Sequence, residues 1–156
     1  MGRELQEMGF DGIDINMGCP DAKVVKNGGG SALILNTDVA VEIIKATQRG
    51  APNLPISVKT RIGFKEINTE EWVKILLLTG ITALIVHGRT AKEQSVPDAH
   101  WDEIGKAVKM RDELGLKTII LGNGDVKSYA EVKEKVKVYG VDGVMIGRGV
   151  FANAWV

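Results

Sequence analysis

Five short apolar segments recur along the chain, and each runs directly into a polar or glycine-rich sequence. An alternation of apolar segment, loop, helical pattern and glycine is typical of an α/β protein. Consecutive apolar residues, as in 83–86 and 118–121, predict strands buried on both faces in a parallel sheet that helices cover. Because parallel strands end at the same edge of a sheet, the polar sequences that follow them should share one face. These sequences are residues 16–20, 59–61, 87–90, 122–125 and 147–149.

The same periodicity predicts where the elements lie. The expected strands are residues 12–16, 56–59, 83–87, 118–121 and 143–146. The expected helices are residues 1–8, 37–49, 70–78, 101–114, 128–140 and 150–156, with a polar, glycine-rich loop over 17–30. The residues expected to cap the helices are Thr37 or Asp38, Asn68 with Glu71, and Ser128 with Glu131.

Two architectures fit this alternation: a β/α barrel and an open, doubly wound sheet. Residues two apart point to the same side of a strand, and polar residues at that spacing favour the barrel, because a sheet covered by helices has little use for polar groups on one face. These pairs are Asp14 with Asn16, Lys59 with Arg61 and His87 with Arg89. A complete barrel has eight strands and about 250 residues. Five strands in 156 residues therefore predict part of a TIM (β/α)8 barrel, with two unpaired edges.

Charge and cysteine content restrict the class of protein. The chain has 20 basic and 20 acidic residues, so its overall charge gives no argument for binding nucleic acid or a membrane surface. One cysteine cannot form an internal disulfide, which fits a reducing compartment such as the cytoplasm. The apolar segments are too short to cross a bilayer, so we expect a soluble protein without membrane contact.

Cys19 follows the first expected strand and lies between Gly18 and Pro20. A free cysteine is often a small buried apolar residue. Its position in a turn at the end of a strand, followed at once by proline, favours a chemical role instead. A thiol with a reference pKa of about 8.5 is mostly protonated at neutral pH, so it can act as an acid as well as a nucleophile.

Charged and titratable residues at the next two strand ends have structural and functional interpretations. Lys59 on the inner side of a barrel needs an anion, either Asp14 in a structural ion pair or a ligand that develops negative charge. His87 is either a satisfied core residue or part of the site. His87 and His100 lack cysteine or carboxylate residues at metal-binding spacing, so no metal site is predicted.

The last two strands end in Gly122-Asn123-Gly124-Asp125 and Gly147-Arg148-Gly149. In many barrels the loops after the two final strands bind a phosphate. Glycine allows a close approach of the backbone, and arginine offers a two-pronged donor. Each sequence is a common turn by itself, but the two together, in successive strand–helix units, predict a ligand that carries a phosphate.

In this order the five sequences resemble the dihydrouridine synthase family. The matching residues are Asp14-Ile15-Asn16-Met17-Gly18-Cys19-Pro20, Val58-Lys59-Thr60-Arg61, Val86-His87-Gly88-Arg89-Thr90, Gly122-Asn123-Gly124-Asp125 and the run from Gly143 to Gly149. The resemblance implies an FMN-containing β/α barrel followed by a small helical domain. It implies an enzyme that uses NADPH or NADH to reduce a uracil base in tRNA to 5,6-dihydrouridine. This chain would supply the fourth to eighth strands, without the first three strands and without the helical domain that helps to bind tRNA.

The resemblance also implies a role for each site residue. Cys19 would protonate C5 of the base while reduced flavin delivers hydride to C6. The residues expected to hold the flavin ring are Lys59 and His87. Those expected around the FMN phosphate are Asn123, Gly124, Asp125, Gly147 and Arg148. Those expected to face the flavin or the target base are Asn16, Arg61 and Arg89.

Three other interpretations stay open from the sequence. An FMN barrel of the dihydroorotate dehydrogenase type would act on a free pyrimidine, although the His-Gly-Arg-Thr and Gly-Arg-Gly sequences favour the tRNA enzyme. A phosphate-binding barrel without flavin, an isomerase or synthase, would use the last two loops but leave Cys19 without a role. The third is that the isolated chain is an inactive part of its parent enzyme.

Overall fold

Five parallel strands form one sheet in which the spatial order follows the chain, β1-β2-β3-β4-β5. The structure is a computed structural model that describes residues 1–154. A doubly wound sheet reverses its strand order at a switch point, whereas the strands of a barrel follow one another in one direction. The order found here is that of a β/α-barrel segment, which confirms the predicted fold class. The strands are β1 (Ile13–Met17), β2 (Ile56–Arg61), β3 (Ala83–His87), β4 (Ile119–Asn123) and β5 (Gly143–Met145).

Helical segments connect the strands, and none within residues 1–154 is long and apolar enough to span a membrane. The α-helices are α1 (Gly2–Glu7), α2 (Ala22–Lys26), α3 (Thr37–Gly50), α4 (Thr69–Leu77), α5 (Trp101–Glu113), α6 (Tyr129–Tyr139) and α7 (Gly149–Ala152), and a 3-10 helix covers Gly30–Leu35. The last predicted helix continues to residues 155 and 156, which lie outside the described residues.

The segment 17–30 is not the irregular loop that the sequence predicts, because it contains α2. Asp21 begins this helix, and its Oδ1 atom accepts hydrogen bonds from the backbone N–H groups of Lys23 at 2.9 Å and Val24 at 3.3 Å. An aspartate that satisfies unpaired N–H groups stabilises a helix start, even one as short as this. The glycine-rich composition of the segment favoured a loop, although Asp21 was a local signal for the start of a helix.

The cap predicted for α3 was also wrong. Asn36 begins the helix, one residue before Thr37, and its side-chain oxygen accepts from the Val39 N–H at 3.4 Å. Asparagine is among the preferred residues at this position. Thr37 and Asp38 instead lie within the first turn, where Asp38 places a negative charge near the positive end of the helix.

The two predicted capping boxes form only in part. Ser128 caps α6, since its Oγ accepts from the Glu131 N–H at 3.2 Å. Glu131 reaches back to the N–H of Lys127 at 2.8 Å rather than to that of Ser128. At the start of α4, the Asn68 side-chain amide donates to the Glu71 carboxylate at 3.2 Å and caps no backbone group.

The face of the sheet that packs against the helices is apolar. It buries Met17, Val58, Leu84, Val86 and Ile120, each 0% exposed. These residues belong to one core cluster, together with side chains of α3, α4 and α5 such as Ile44, Trp72, Leu76 and Ile104. The helices therefore cover one side of the sheet, and the buried strand residues hold them there.

The opposite face carries polar side chains at its carboxyl end. The register pairs Asn16 with Lys59, and Arg61 with His87 and then Asn123. Because paired residues of parallel strands lie on the same side of the sheet, all five share this face, as the spacing of polar residues predicts. We call it the polar face.

Burial on both faces, predicted for two strands, holds for β3 but not throughout β4. Leu84, Ile85 and Val86 are at most 4% exposed. Ile119, by contrast, lies on the same side of the sheet as the polar face and is 44% exposed. Its register neighbour is Ala83, whose side chain is too short to cover it.

Two consecutive hydrogen bonds join polar groups within the core, and their loss should change the free energy of unfolding. The fully buried Trp72 donates its indole N–H to Thr60 Oγ1 at 2.9 Å, and Thr60 Oγ1 donates to the Met17 carbonyl at 3.2 Å. We expect Thr60→Val to lower the free energy of unfolding by about 1–3 kcal/mol, because the indole N–H loses its acceptor. The Trp72→Phe/Thr60→Val double variant should cost less than the sum of the single variants in urea unfolding, since no donor remains unpaired. Strictly additive costs would contradict this interpretation.

Candidate active site at the carboxyl ends of the strands

A tight turn holds Cys19 at the end of β1. The side-chain oxygen of Asn16 accepts from the N–H groups of Gly18 at 3.0 Å and Cys19 at 3.1 Å, which fixes the turn from within. The chain then returns across the turn. The Ser31 N–H donates to the Cys19 carbonyl at 2.9 Å, and a methyl group added at Gly30, where φ is +56°, would lie 2.5 Å from that carbonyl oxygen. The thiol of Cys19 is unpaired and its residue is half-buried.

Arg61, at the end of β2, joins two loops through three backbone carbonyls. It is only 7% exposed, and its Nε donates to the Gly18 carbonyl at 2.8 Å. Its Nη1 donates to the carbonyls of Thr90 at 3.0 Å and Gln94 at 2.9 Å. The guanidinium thus links the Cys19 turn to the loop after β3, residues 88–100, which we call the β3 loop. In this structure Arg61 positions both segments through their backbones.

Arg89 is held by an ion pair at the start of the β3 loop. It is 2% exposed, and its Nη2 lies 2.5 Å from Asp125 Oδ2, while its Nε donates to the Pro97 carbonyl at 2.6 Å. The same Asp125 oxygen accepts from the Ala99 N–H at 2.8 Å. Burial alone would raise the pKa of Asp125, but the hydrogen bonds from Arg89 and Ala99 hold it below its ordinary value. Asp125 therefore remains an anion that fixes the β3 loop.

His87 is surrounded by cations and is neutral at neutral pH. Burial, followed by the positive charges of Arg61, Lys59 and Arg89, lowers its pKa from 6.5 to about 3, and Asp125 offsets only part of this. Arg89 Nη1 lies 3.3 Å from His87 Nε2. Because a guanidinium can only donate, Nε2 is the acceptor and the ring proton is on Nδ1.

Lys59 crosses the polar face to meet an amide rather than a carboxylate. Its Nζ donates to Asn123 Oδ1 at 3.1 Å, and the Asn123 amide donates to the Met145 carbonyl at 2.8 Å. The ion pair with Asp14, one of the two predicted alternatives, does not form, because Asp14 accepts instead from Ser57 Oγ at 2.6 Å.

The charge of Lys59 is therefore not neutralised by a direct partner. Burial, followed by the positive charge of Arg61, lowers its pKa, and the negative charge of Asp14 opposes the shift in part. A half-buried ammonium group whose hydrogen-bond partner is a neutral amide is available to an anionic group on the polar face. Of the two predicted roles, the contacts of Lys59 agree with ligand binding and not with an ion pair to Asp14.

The loops after β4 and β5 come together around a cavity of about 510 Å³. A side chain at Gly149 would collide with the Val126 carbonyl, so glycine is needed where the loops meet. Gly124 has a φ of +135°, and a methyl group there would lie 2.6 Å from the Ala99 side chain. Arg148 is exposed and forms no ion pair with any residue in 1–154. The predicted site residues that line this cavity are His87, Arg89, Asn123, Gly124, Asp125, Gly147 and Arg148.

The other predicted residues lie elsewhere on the same edge. Cys19, Asn16, Lys59 and Arg61 do not line this cavity. Cys19 follows β1 and Arg148 follows β5, so they share the carboxyl end of the sheet but belong to its two outer strands. The chain thus brings the predicted phosphate-binding residues together with His87 and Arg89, and places the thiol across the polar face from Arg148.

A hydrogen-bonded group in the β3 loop was missed by sequence reasoning, which treated His100 as an ordinary residue. One carboxylate oxygen of Glu93 accepts from the Thr90 N–H at 2.7 Å and the Thr90 hydroxyl at 3.0 Å, and the other lies 2.9 Å from His100 Nε2. Burial would raise the pKa of Glu93, but these hydrogen bonds lower it. The three-residue spacing of Thr90 and Glu93 was a signal of local capping. The contact with His100 depends on the tertiary structure.

The fold and site define a segment of a β/α barrel with its polar chemistry at the carboxyl ends of the strands. Two solved structures share this architecture. A 2,3-dimethylmalate lyase superposes with a TM-score of 0.67 at 15% identity, over 93% of this chain and 52% of its own. An oxaloacetate acetylhydrolase superposes with a TM-score of 0.68 at 15% identity, over 98% of this chain and 59% of its own. At such low identity these similarities show the fold alone.

Sequence comparison identifies the family. Residues 3–156 match the profile of the family described as "Dihydrouridine synthase (Dus)", and the chain belongs to that family. It is 50% identical over 151 residues to the "Probable tRNA-dihydrouridine synthase" of Staphylococcus aureus (strain Mu50 / ATCC 700699), covering 96% of this chain and 45% of the relative. It is 45% identical over 150 residues to the "Probable tRNA-dihydrouridine synthase 2" of Bacillus subtilis (strain 168), covering 96% and 46%. The chain thus spans a little under half the length of these curated relatives.

We expect His87 to remain neutral throughout the physiological range. Because its pKa is lowered from 6.5 to about 3, its imidazole NMR shifts should stay constant between about pH 5 and pH 8. The His100→Gln variant assigns the signals of the two histidines. A titration of His87 with a midpoint near 6.5 would show that the surrounding cations do not act as the structure indicates.

Proposed function

We propose that this chain is part of an enzyme that reduces uridine in tRNA to 5,6-dihydrouridine. Membership of the dihydrouridine synthase family and the names of the relatives support this reaction. The observation that carries the proposal is the position of the only thiol. Cys19 is held in a fixed turn at the same edge of the sheet as three cations and a cavity suited to an anionic ligand.

The residues around the cavity of about 510 Å³ fit the phosphate end of FMN. The glycine-lined wall permits close approach of a phosphate, and the exposed Arg148 guanidinium has no ion-pair partner among residues 1–154. The residues that would surround the phosphate are Asn123, Gly124, Asp125, Gly147 and Arg148, and those that would hold the ring are Lys59 and His87. FMN held there and reduced by NADPH or NADH would supply the hydride for C6 of the uracil ring.

The remaining proton comes from the protein. In our proposal Cys19 holds it on Sγ and donates it to C5 of the uracil as a general acid. Asn16 fixes the backbone of the Cys19 turn, and Arg61 fixes that turn against the β3 loop. A base buried in an RNA stack cannot reach such a turn, so the target uridine must be extruded.

The neutral state of His87 suits this chemistry. Its Nδ1–H remains a donor at neutral pH, while Nε2 accepts from Arg89. Arg89 is in turn fixed by Asp125, so a donor and a cation are presented at defined positions. Lys59 would stabilise negative charge on a ring bound over the polar face.

We place β1–β5 as the fourth to eighth strands of the complete barrel and the chain as the C-terminal part of its FMN-binding domain. The relatives support a partial chain, since it covers 45% of one and 46% of the other. The strand numbers follow from the resemblance to the family. The first three strands and the helical domain that contacts tRNA would belong to the rest of the enzyme. We expect an enzyme with a tRNA substrate to work in the cytoplasm.

The Cys19→Ala variant of the complete enzyme should retain bound flavin and lose at least about 100-fold in the rate of uridine reduction, because only the proton donor is removed. Dihydrouridine formed in a tRNA transcript can be measured by mass spectrometry, and bound flavin by its visible absorbance. Activity close to that of the wild type would remove the acid role. Reduction of free pyrimidines but not of tRNA by the wild type would favour a dihydroorotate dehydrogenase type of enzyme instead.

The Arg148→Ala variant should bind FMN about 10-fold or more weakly, because a charge-assisted contact with the phosphate is lost. A matched control is Arg49→Ala, which removes an exposed arginine in the last turn of α3 that pairs with Glu42 and lies before the start of β2 rather than after the end of a strand. Flavin fluorescence quenching gives both dissociation constants. Equal affinities for the two variants would contradict the phosphate role of Arg148.

A further inference from the structure

A second cavity, of about 550 Å³, lies beside the Cys19 turn and between the loops that follow β1, β2 and β3. Its walls are mainly apolar, and they include Pro20, Val25, Phe64 and Ala91. Pro20 is the residue directly after Cys19. None of the residues that line this cavity lines the cavity near Arg148. It is therefore a separate site at the same edge of the sheet.

The wall of this second cavity is a preformed surface. The Ala91 N–H donates to the Gly63 carbonyl at 2.9 Å, and the Lys92 N–H donates to the Phe64 carbonyl at 2.9 Å. These two bonds tie the loop after β2 to the β3 loop along the cavity. The half-buried Phe64 is thereby held in place as an aromatic side chain beside apolar neighbours, which is the kind of surface on which a nucleobase stacks.

The rim of the cavity is positively charged. Lys65 and Lys92 line it, both are exposed, and neither forms an ion pair within residues 1–154. The adjoining α2 adds two more exposed lysines without such pairs there, Lys23 and Lys26. The residues that line the cavity include no acidic residue, and the acidic residues next to them in sequence are Asp21, Glu66 and Glu93. This local excess stands out in a chain whose formal net charge is zero.

Ser31 gives a further indication of a ligand. Its residue also lines the second cavity, and its hydroxyl is the buried side-chain group of residues 1–154 that has no hydrogen-bond partner. An unsatisfied buried hydroxyl is costly, and a base with polar edge atoms would supply a partner. An apolar cavity with one such group suits a nucleobase better than a purely aliphatic side chain.

We propose that the second cavity binds the base of the RNA nucleotide adjacent to the target uridine, and that Lys65 and Lys92 contact the flanking phosphates. This inference rests on the proposed function and deepens it. Stacking on Phe64 would be tolerant of base identity, whereas the lysines would add a salt-dependent contribution. Holding the neighbouring base beside Cys19 would keep the extruded uridine in register with the thiol.

The first test fills the cavity from its exposed side. Ala22 lines the cavity and is exposed, so Ala22→Trp should block it without a change in charge. Ala46→Trp, on the exposed side of α3, is the matched control. The probes are a tRNA transcript with its reduced uridine mapped and two transcripts that lack the base on either side of it. Affinities are measured by fluorescence anisotropy with the complete enzyme.

We expect removal of one neighbouring base to weaken binding by the wild type and the control about 10-fold. The Ala22→Trp variant should bind the intact transcript about 10-fold more weakly and should not respond to removal of that base. An Ala22→Trp variant that binds all three transcripts like the control would overturn the inference. An Ala22→Trp variant that is less stable but binds RNA like the control would also overturn it. That result would mean that a segment of the polypeptide, rather than RNA, fills the cavity.

The second test concerns the rim and uses only exposed residues. Lys65→Ala/Lys92→Ala should reduce the slope of log affinity against log salt by about 1.4, the value for two contacts with single-stranded phosphates. Lys45→Ala/Lys137→Ala removes the same charge from exposed positions on α3 and α6 and should leave the slope unchanged. Equal slopes for the two double variants would contradict the phosphate contacts.

These outcomes separate the inference from the proposed function. A wild-type enzyme that neither binds nor reduces tRNA would refute the proposed function, and the subsite would fall with it. A wild-type enzyme that reduces tRNA, with cavity and rim variants that match their controls, would refute the subsite alone.

Discussion

The geometry of the candidate active site depends on one buried guanidinium. Arg61 donates to backbone carbonyls of the Cys19 turn and of the β3 loop, which are 29 to 43 residues away from it in sequence. Loops at strand ends have carbonyl groups that the sheet does not satisfy, and a planar cation with five donors can bind several of them at once. Lysine has a single compact donor group and could not join segments that approach from different directions. The position of the thiol relative to the rest of the edge follows from this one side chain.

The same cation also sets the electrostatics of the polar face. Arg61, Lys59 and Arg89 all lower the pKa of His87, and Asp125 is the carboxylate that opposes them there. Since Asp125 is already paired with Arg89, the remaining positive charge is not balanced by a direct ion pair. A protein that is neutral overall but concentrates cations at one edge of a sheet has a surface suited to an anionic ligand. Burial of that edge by a ligand would strengthen each of these interactions.

The sequence predicted the parts of this arrangement that depend on periodicity. The five strands, the side on which Asn16, Lys59 and Arg61 lie, and the meeting of the last two glycine loops follow from spacing and are found in the structure. The pairing of side chains could not be obtained this way. Asp14 lies on the strand next to Lys59, yet Lys59 donates its hydrogen bond to the side-chain amide of Asn123, 64 residues away. Prediction of helix caps failed at α3, where Asn36 is the cap and not Thr37 or Asp38. All three residues are of types that cap helices, so the sequence does not distinguish them.

The β3 loop contributes residues to both cavities. Arg89 and Ser95 line the cavity near Arg148, whereas Ala91 and Lys92 line the one beside Pro20. A single loop thus forms a wall of both sites, and its shape is fixed by Arg61 and by the pairing of Arg89 with Asp125. A loop held this firmly can keep two ligands at a constant separation. Hydride and proton must reach adjacent carbons of one ring, so a rigid common wall serves the proposed reaction better than a mobile one.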